Sequence, residues 1–214
     1  MMSYNSLQYI AIGDSLTAGI GIPFLNSGFP EFYRKLSEHT LEKRIYLHKF
    51  GKSGATTGDI LNMLDSPTVR RAIKCANIIT ITAGGNDLIN AAKNLLRHND
   101  KKSVIHAMQQ SQENYSKIIK KIQIIDKENP SILRLMNLYN PFPHIPVADE
   151  AIKTFNIAIS RFAKQKNIKV ADVYHVFSGK EKALLSKDGV HPNQEGYHQM
   201  ALTFSKLGYA PLEY

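Results

Sequence analysis

Residues 9–16 read Tyr9-Ile10-Ala11-Ile12-Gly13-Asp14-Ser15-Leu16. A short, unbroken apolar run ends at a glycine and passes directly into a carboxylate and a hydroxyl. Four more short apolar runs follow, at 45–50, 78–83, 132–138 and 169–173. None alternates apolar with polar, so all five predict strands covered on both faces, as in a parallel sheet. Between them apolar residues recur at helical spacing, over 29–41, 57–64, 88–96, 104–125, 149–166 and 193–207. In the fifth of these Ile152, Phe155, Ile159 and Phe162 share one face, and in the last Pro192-Asn193 suits a helix start. Strand and helix in alternation predict a doubly wound α/β sandwich with right-handed crossovers.

The 214 residues, 43% hydrophobic and 21% charged, suit one packed domain spanning 1–214. Residues 1–9 hold no Lys or Arg, and the apolar run behind them breaks at Gly13 and Asp14. No secretory signal is expected from that pattern, and no run approaches a membrane span. A soluble, cytoplasmic chain is therefore the expectation. The lone cysteine, Cys75, precedes an apolar run and reads as a core thiol. The formal charge of +9 favours anionic surfaces such as lipid headgroups. The lysines are scattered rather than striped with aromatics, so no nucleic-acid partner is expected.

In such sheets function collects at the carboxyl ends of the strands. The first run leads into Gly13-Asp14-Ser15-Leu16, the second into Gly51-Lys52-Ser53-Gly54-Ala55-Thr56, the third into Gly84-Gly85-Asn86-Asp87. Asp188-Gly189-Val190-His191-Pro192 lies beyond the fifth. All four should meet at one edge. A serine hydroxyl is a poor nucleophile until a base takes its proton, and histidine suits that task. The other imidazole nitrogen needs a carboxylate to fix its tautomer. Ser15, His191 and Asp188 supply the three parts, since one tight turn presents Asp188 to the ring and leaves the far nitrogen for Ser15. The backbone N–H groups of Ser15 and Gly54 and the amide of Asn86 are candidate oxyanion donors. Gly54 is expected where backbone must approach closely without a Cβ. The plainer reading of Ser15 is a helix cap, and Asp14 and Asp87 read as structural ties. His191, Glu195 and His198 share a helical side, but their spacing matches no hydrolase metal motif, so no metal is expected. His39, His98 and His144 read as surface residues.

The four blocks, in this order and across almost the whole chain, resemble those of the SGNH (GDSL) hydrolases. The resemblance implies a three-layer α/β/α sandwich with a five-stranded parallel sheet, flavodoxin-like in plan. It also implies a Ser15–His191–Asp188 triad, an oxyanion hole of Ser15, Gly54 and Asn86, and no cofactor. Many members carry Asn a few residues before the block II glycine; here Lys49 and Phe50 stand in that region, which leaves the loop's supporting hydrogen bonds open. Within the family, residues 13–21, 53–57 and 138–143 and the closing 208–213 are similar to lipases of spore germination in bacilli. That likeness implies phospholipid or acylglycerol hydrolysis and a spore-associated location. Carbohydrate deacetylase and thioesterase chemistry fit the same site, and a non-catalytic module for anionic surfaces is the alternative of another class. Ile20, Ile22, Phe24 and Leu25 behind the serine, and Pro141, Phe142 and Pro143 behind the fourth run, are candidate acyl-chain contacts.

Overall fold

The computed structural model describes residues 6–23, 26–98 and 101–213, and of 101–103 the backbone alone. Five strands, β1 (Ser6–Gly13), β2 (Arg44–Gly51), β3 (Ile78–Thr82), β4 (Ile132–Met136) and β5 (Ile168–Ala171), form one parallel sheet in the order β2-β1-β3-β4-β5. The order turns back between β1 and β3, which sets the crevice of such a fold at the ends of those strands. β3 and β4 are buried throughout, and β1 is buried from Tyr9 to its end. β2 departs from the expected double cover. As an edge strand it buries Ile45 but exposes Tyr46, His48 and Lys49, because among the described residues no strand pairs with its outer side.

The helices are α1 (Ser15–Ala18), α2 (Phe29–Leu41), α3 (Thr57–Met63), α4 (Pro67–Cys75), α5 (Gly85–His98), α6 (Lys101–Gln123), α7 (Pro146–Ser160), α8 (Val173–Phe177), α9 (Glu181–Leu184) and α10 (Gln194–Ser205). They lie on both faces of the sheet. One apolar cluster joins Phe29, Tyr33, Phe177, Tyr197 and Phe204 to one face. The other joins Ile60, Ile73, Tyr115, Ile119 and Phe155 to the opposite face. The helix expected over 149–166 ends at Ser160, and a 3₁₀ turn (Arg161–Lys164) continues it. α4 lacked an apolar repeat long enough to stand out, yet Ser66-Pro67 marks its start in the way proline favours first helical positions. Its last residue, Cys75, is not the core thiol expected: the side chain is half-buried and its Sγ donates to Glu128 Oε2 at 3.3 Å.

Candidate active site

β1 delivers Ser15 by ending at the edge of the crevice. Asp14 takes the N-cap of α1, its carboxylate accepting from the Leu16 N–H at 3.0 Å and from the Thr82 hydroxyl at 2.9 Å. Burial pushes the Asp14 carboxyl up, against those two bonds. Because Asp14 does the capping, the Ser15 hydroxyl is left for other work, and its N–H, at the first helical position, has no intrahelical acceptor.

His191 reaches Ser15 from the far end of the chain. Its Nε2 lies 3.0 Å from Ser15 Oγ, and its Nδ1 lies 2.7 Å from Asp188 Oδ2. The loop that carries both closes on itself through Ser186 N–H to the His191 carbonyl at 2.7 Å and a bridge between Leu185 and Pro192. The Asp188 carboxylate also accepts from the Ser186 hydroxyl at 2.8 Å and from the Val190 and His191 N–H groups, both at 2.9 Å. Desolvation raises this carboxyl, but the hydrogen bonds from the His191 ring, the two backbone amides and Ser186 outweigh it and hold it well below the usual carboxylate range. With both ring nitrogens engaged, His191 has none to offer a metal beside Glu195 and His198; His198 instead tilts against the Phe32 ring at 5.1 Å.

The Gly54 loop is held to the site from two sides. Lys52 N–H donates to the Gly13 carbonyl at 3.0 Å, and Ala55 N–H to the Lys52 carbonyl at 3.1 Å, a turn with Gly54 third at φ 76°. A type II turn needs a positive φ there, which is glycine's reason for being present. The close approach expected at Gly54 is not found: a Cβ would meet no atom within 4 Å. These bonds, with Asn86 Nδ2 donating to the Ala55 carbonyl at 2.9 Å, support the loop without the asparagine that Lys49 and Phe50 displace. Asn86 lies in the first turn of α5, and one of its two amide hydrogens remains for another acceptor. Asp87 clamps the arrangement, accepting from Thr57 N–H at 2.9 Å and Thr57 Oγ1 at 2.7 Å; burial pushes its carboxyl up.

Serine, imidazole and carboxylate in one hydrogen-bonded line, beside backbone and amide N–H groups, can transfer an acyl group. A family model described as GDSL-like lipase/acylhydrolase matches residues 11–199. The chain belongs to that family. This GDSL hydrolase is 40% identical over 210 residues to the spore germination lipase LipC of Bacillus licheniformis, covering 97% of this chain and 99% of that protein. An uncharacterized protein of Bacillus subtilis, YpmR, is 26% identical over 89% of this chain and 77% of its own length. Among solved structures, the lipase Lip_vut3 from a goat rumen metagenome superposes with TM-score 0.92 at 41% identity, covering 97% of this chain and all of that one. An acetylxylan esterase of Geobacillus stearothermophilus shares the fold, with TM-score 0.72 at 17% identity over 94% of this chain and 93% of that one. The GDSL hydrolase is thus a carboxylic ester hydrolase with a five-stranded parallel α/β fold.

The other candidates divide. Ile20 is exposed. Ile22 is half-buried and packs against the apolar cluster that holds α2 and α10. Phe142 is half-buried, and its segment is brought to the site by Tyr139, whose hydroxyl donates to the Val190 carbonyl at 2.7 Å. Phe24 and Leu25 lie outside the described residues. His39, His98 and His144 are exposed, as expected.

Two supports were not legible from motifs. One is the buried Tyr139, which braces the histidine loop from beneath. The other is Gly21, at φ 102°, where a Cβ would fall 2.7 Å from His191 Cβ and 2.7 Å from the Pro192 carbonyl oxygen. Gly21→Val is therefore expected to push the histidine loop outward and cut ester turnover by about 100-fold. Steady-state kinetics on a soluble ester, with circular dichroism as the check on folding, measures this.

Proposed function

We propose that this hydrolase cleaves lipid esters through an acyl-enzyme on Ser15. His191 accepts the Ser15 proton as Oγ bonds to the ester carbonyl carbon. Asp188 holds the imidazole in the right tautomer and stabilises the imidazolium. The Ser15 and Gly54 N–H groups and the second hydrogen of the Asn86 amide receive the oxyanion. The alcohol departs with the proton from His191. Water then attacks the acyl group by the same route, giving the free acid and restoring the serine. The observation that carries the reading is the continuous line of Ser15 Oγ, His191 and Asp188 at 3.0 and 2.7 Å.

Lipid esters are favoured over acetylated sugars by the two relatives near 40% identity, both named lipases. The acetylxylan esterase shares the fold at far lower identity. The spore setting in the first relative's name extends the proposal to lipid breakdown at germination. A series of p-nitrophenyl esters from acetyl to long acyl tests the substrate class. Rising kcat/KM with chain length is expected, and a sharp preference for acetyl groups would favour a deacetylase instead. Asn86→Ala tests the oxyanion assignment: a fall in kcat of about 10²- to 10³-fold with little change in KM is expected.

A further inference from the structure

Of the eight large hydrophobic side chains exposed among the described residues, five share one end of the molecule: Ile20, Leu96, Ile105, Ile145 and Val147. Ile20 follows α1, while Ile145 and Val147 stand at the start of α7, where β4 has just ended. All three therefore lie at the strand ends that carry the catalytic loops. Scattered apolar side chains are ordinary on a surface, but several gathered around one edge call for a partner.

Leu96 and Ile105 lie farther out, on a helical hairpin. α5 begins at the site, with Asn86 in its first turn, and packs along α6. On α6, Asn114 Nδ2 donates to Thr57 Oγ1 at 3.3 Å, level with the clamp between Thr57 and Asp87. Beyond that point α6 descends along the sheet, burying Tyr115, Ile118, Ile119 and Ile122. From Asn114 back to Val104 only Ser111 is buried among the described side chains, and the helix rises about 20 Å between Asn114 and Lys101, past the strand ends. α5 buries only Ala91 along its length. The hairpin thus projects beyond the crevice and holds Leu96, 88% exposed, and Ile105, 57% exposed, toward its tip. Its chemistry is also one-sided. Residues 88–108 contain Lys93, Arg97, Lys101 and Lys102 against the single acid Asp100, with His98 and His106 besides.

We propose that the hairpin of α5 and α6 docks this enzyme on an anionic lipid surface. Leu96 and Ile105 enter the boundary between headgroups and acyl chains, and the neighbouring basic side chains meet the headgroups. Apolar anchors beside cations are what such an interface selects. Docking by this end turns the crevice of Ser15 toward the lipid, and Ile20, Ile145 and Val147 line the approach. The proposal rests on the lipid-ester reading and names the surface on which that chemistry runs.

The test uses the full chain with vesicles of phosphatidylglycerol and of phosphatidylcholine, sedimented at low and high salt. Wild type should bind phosphatidylglycerol vesicles at least about tenfold more tightly than phosphatidylcholine, with binding weakened by salt. The double variant Leu96→Asp/Ile105→Asp should lose about tenfold or more of that binding, while its turnover of a short soluble ester stays within about twofold of wild type. Lys93→Glu/Arg97→Glu should weaken binding to the anionic vesicles alone. Wild type that stays in the supernatant, or a double variant that sediments like wild type, would overturn the docking surface. So would a wild-type dimer that the double variant dissociates without loss of vesicle binding, since a second copy would then be the occupant. These failures leave soluble-ester turnover intact, whereas failure of the underlying chemistry shows in Ser15→Ala with no vesicle present.

Discussion

Ser15→Ala is expected to lower turnover of a short p-nitrophenyl ester by about four to six orders of magnitude, with the fold preserved. The two halves of that expectation come from different parts of the same turn. Chemistry is lost because Oγ is the atom that His191 Nε2 faces at 3.0 Å, and alanine offers no nucleophile. Structure survives because the helix cap is Asp14, not Ser15, and the Asp14 bonds to Leu16 and Thr82 are untouched. One hydrogen bond to imidazole is removed, worth about 1 kcal/mol. For a chain of this size that moves Tm by about 2–4 °C. Kinetics and a thermal melt on the same preparation check both halves.

Asp188→Asn is the second large effect, and it separates orientation from mere presence of the base. The carboxylate accepts four hydrogen bonds, from Ser186, the Val190 and His191 amides, and His191 Nδ1. An asparagine can keep its oxygen toward the two backbone amides, but its NH₂ then faces Nδ1. That forces the proton to Nε2, the nitrogen that must accept from Ser15. A loss of about 10⁴-fold in kcat is expected, with a nearly unchanged KM. The native carboxyl is held below its ordinary range, so it stays ionised through neutral and mildly acid pH. Its contribution to the loop is complete above about pH 4 and is lost only as the pH falls further, through the depressed value. The pH profile of kcat and a melt taken at several pH values measure these two consequences.

The sheet was legible because strands buried on both faces are mostly apolar without alternation, as β1 is from Tyr9 onward and β3 and β4 are apart from Thr80, Thr82 and Arg134. β2 was misread for a physical reason: Tyr46 and Phe50 are apolar enough to extend a run, but the pattern holds no information about which strand lies at an edge. α4 escaped because a nine-residue helix shows too few repeats to stand out from the loops around it. At the candidate site, Ser15, Asp188, His191 and Asn86 were visible since each role proposed for them admits very few residue types. Gly54 was visible too, though for the wrong reason, because a turn's positive φ and a close approach leave the same letter in the sequence. Tyr139 and Gly21 were hidden because their work depends on partners 51 and 170 positions away, Val190 and His191. A single sequence does not record that pairing.

The claim on which the rest depends is that the Ser15 oxygen is the nucleophile. Incubation of the native enzyme with a fluorophosphonate, followed by peptide mass spectrometry, tests it most directly. One adduct is expected, on the peptide that contains Ser15, forming in step with loss of ester hydrolysis and absent from the Ser15→Ala protein. Full inactivation with the label on any other residue, or an unlabelled Ser15 in protein that has lost its activity to the reagent, would contradict it.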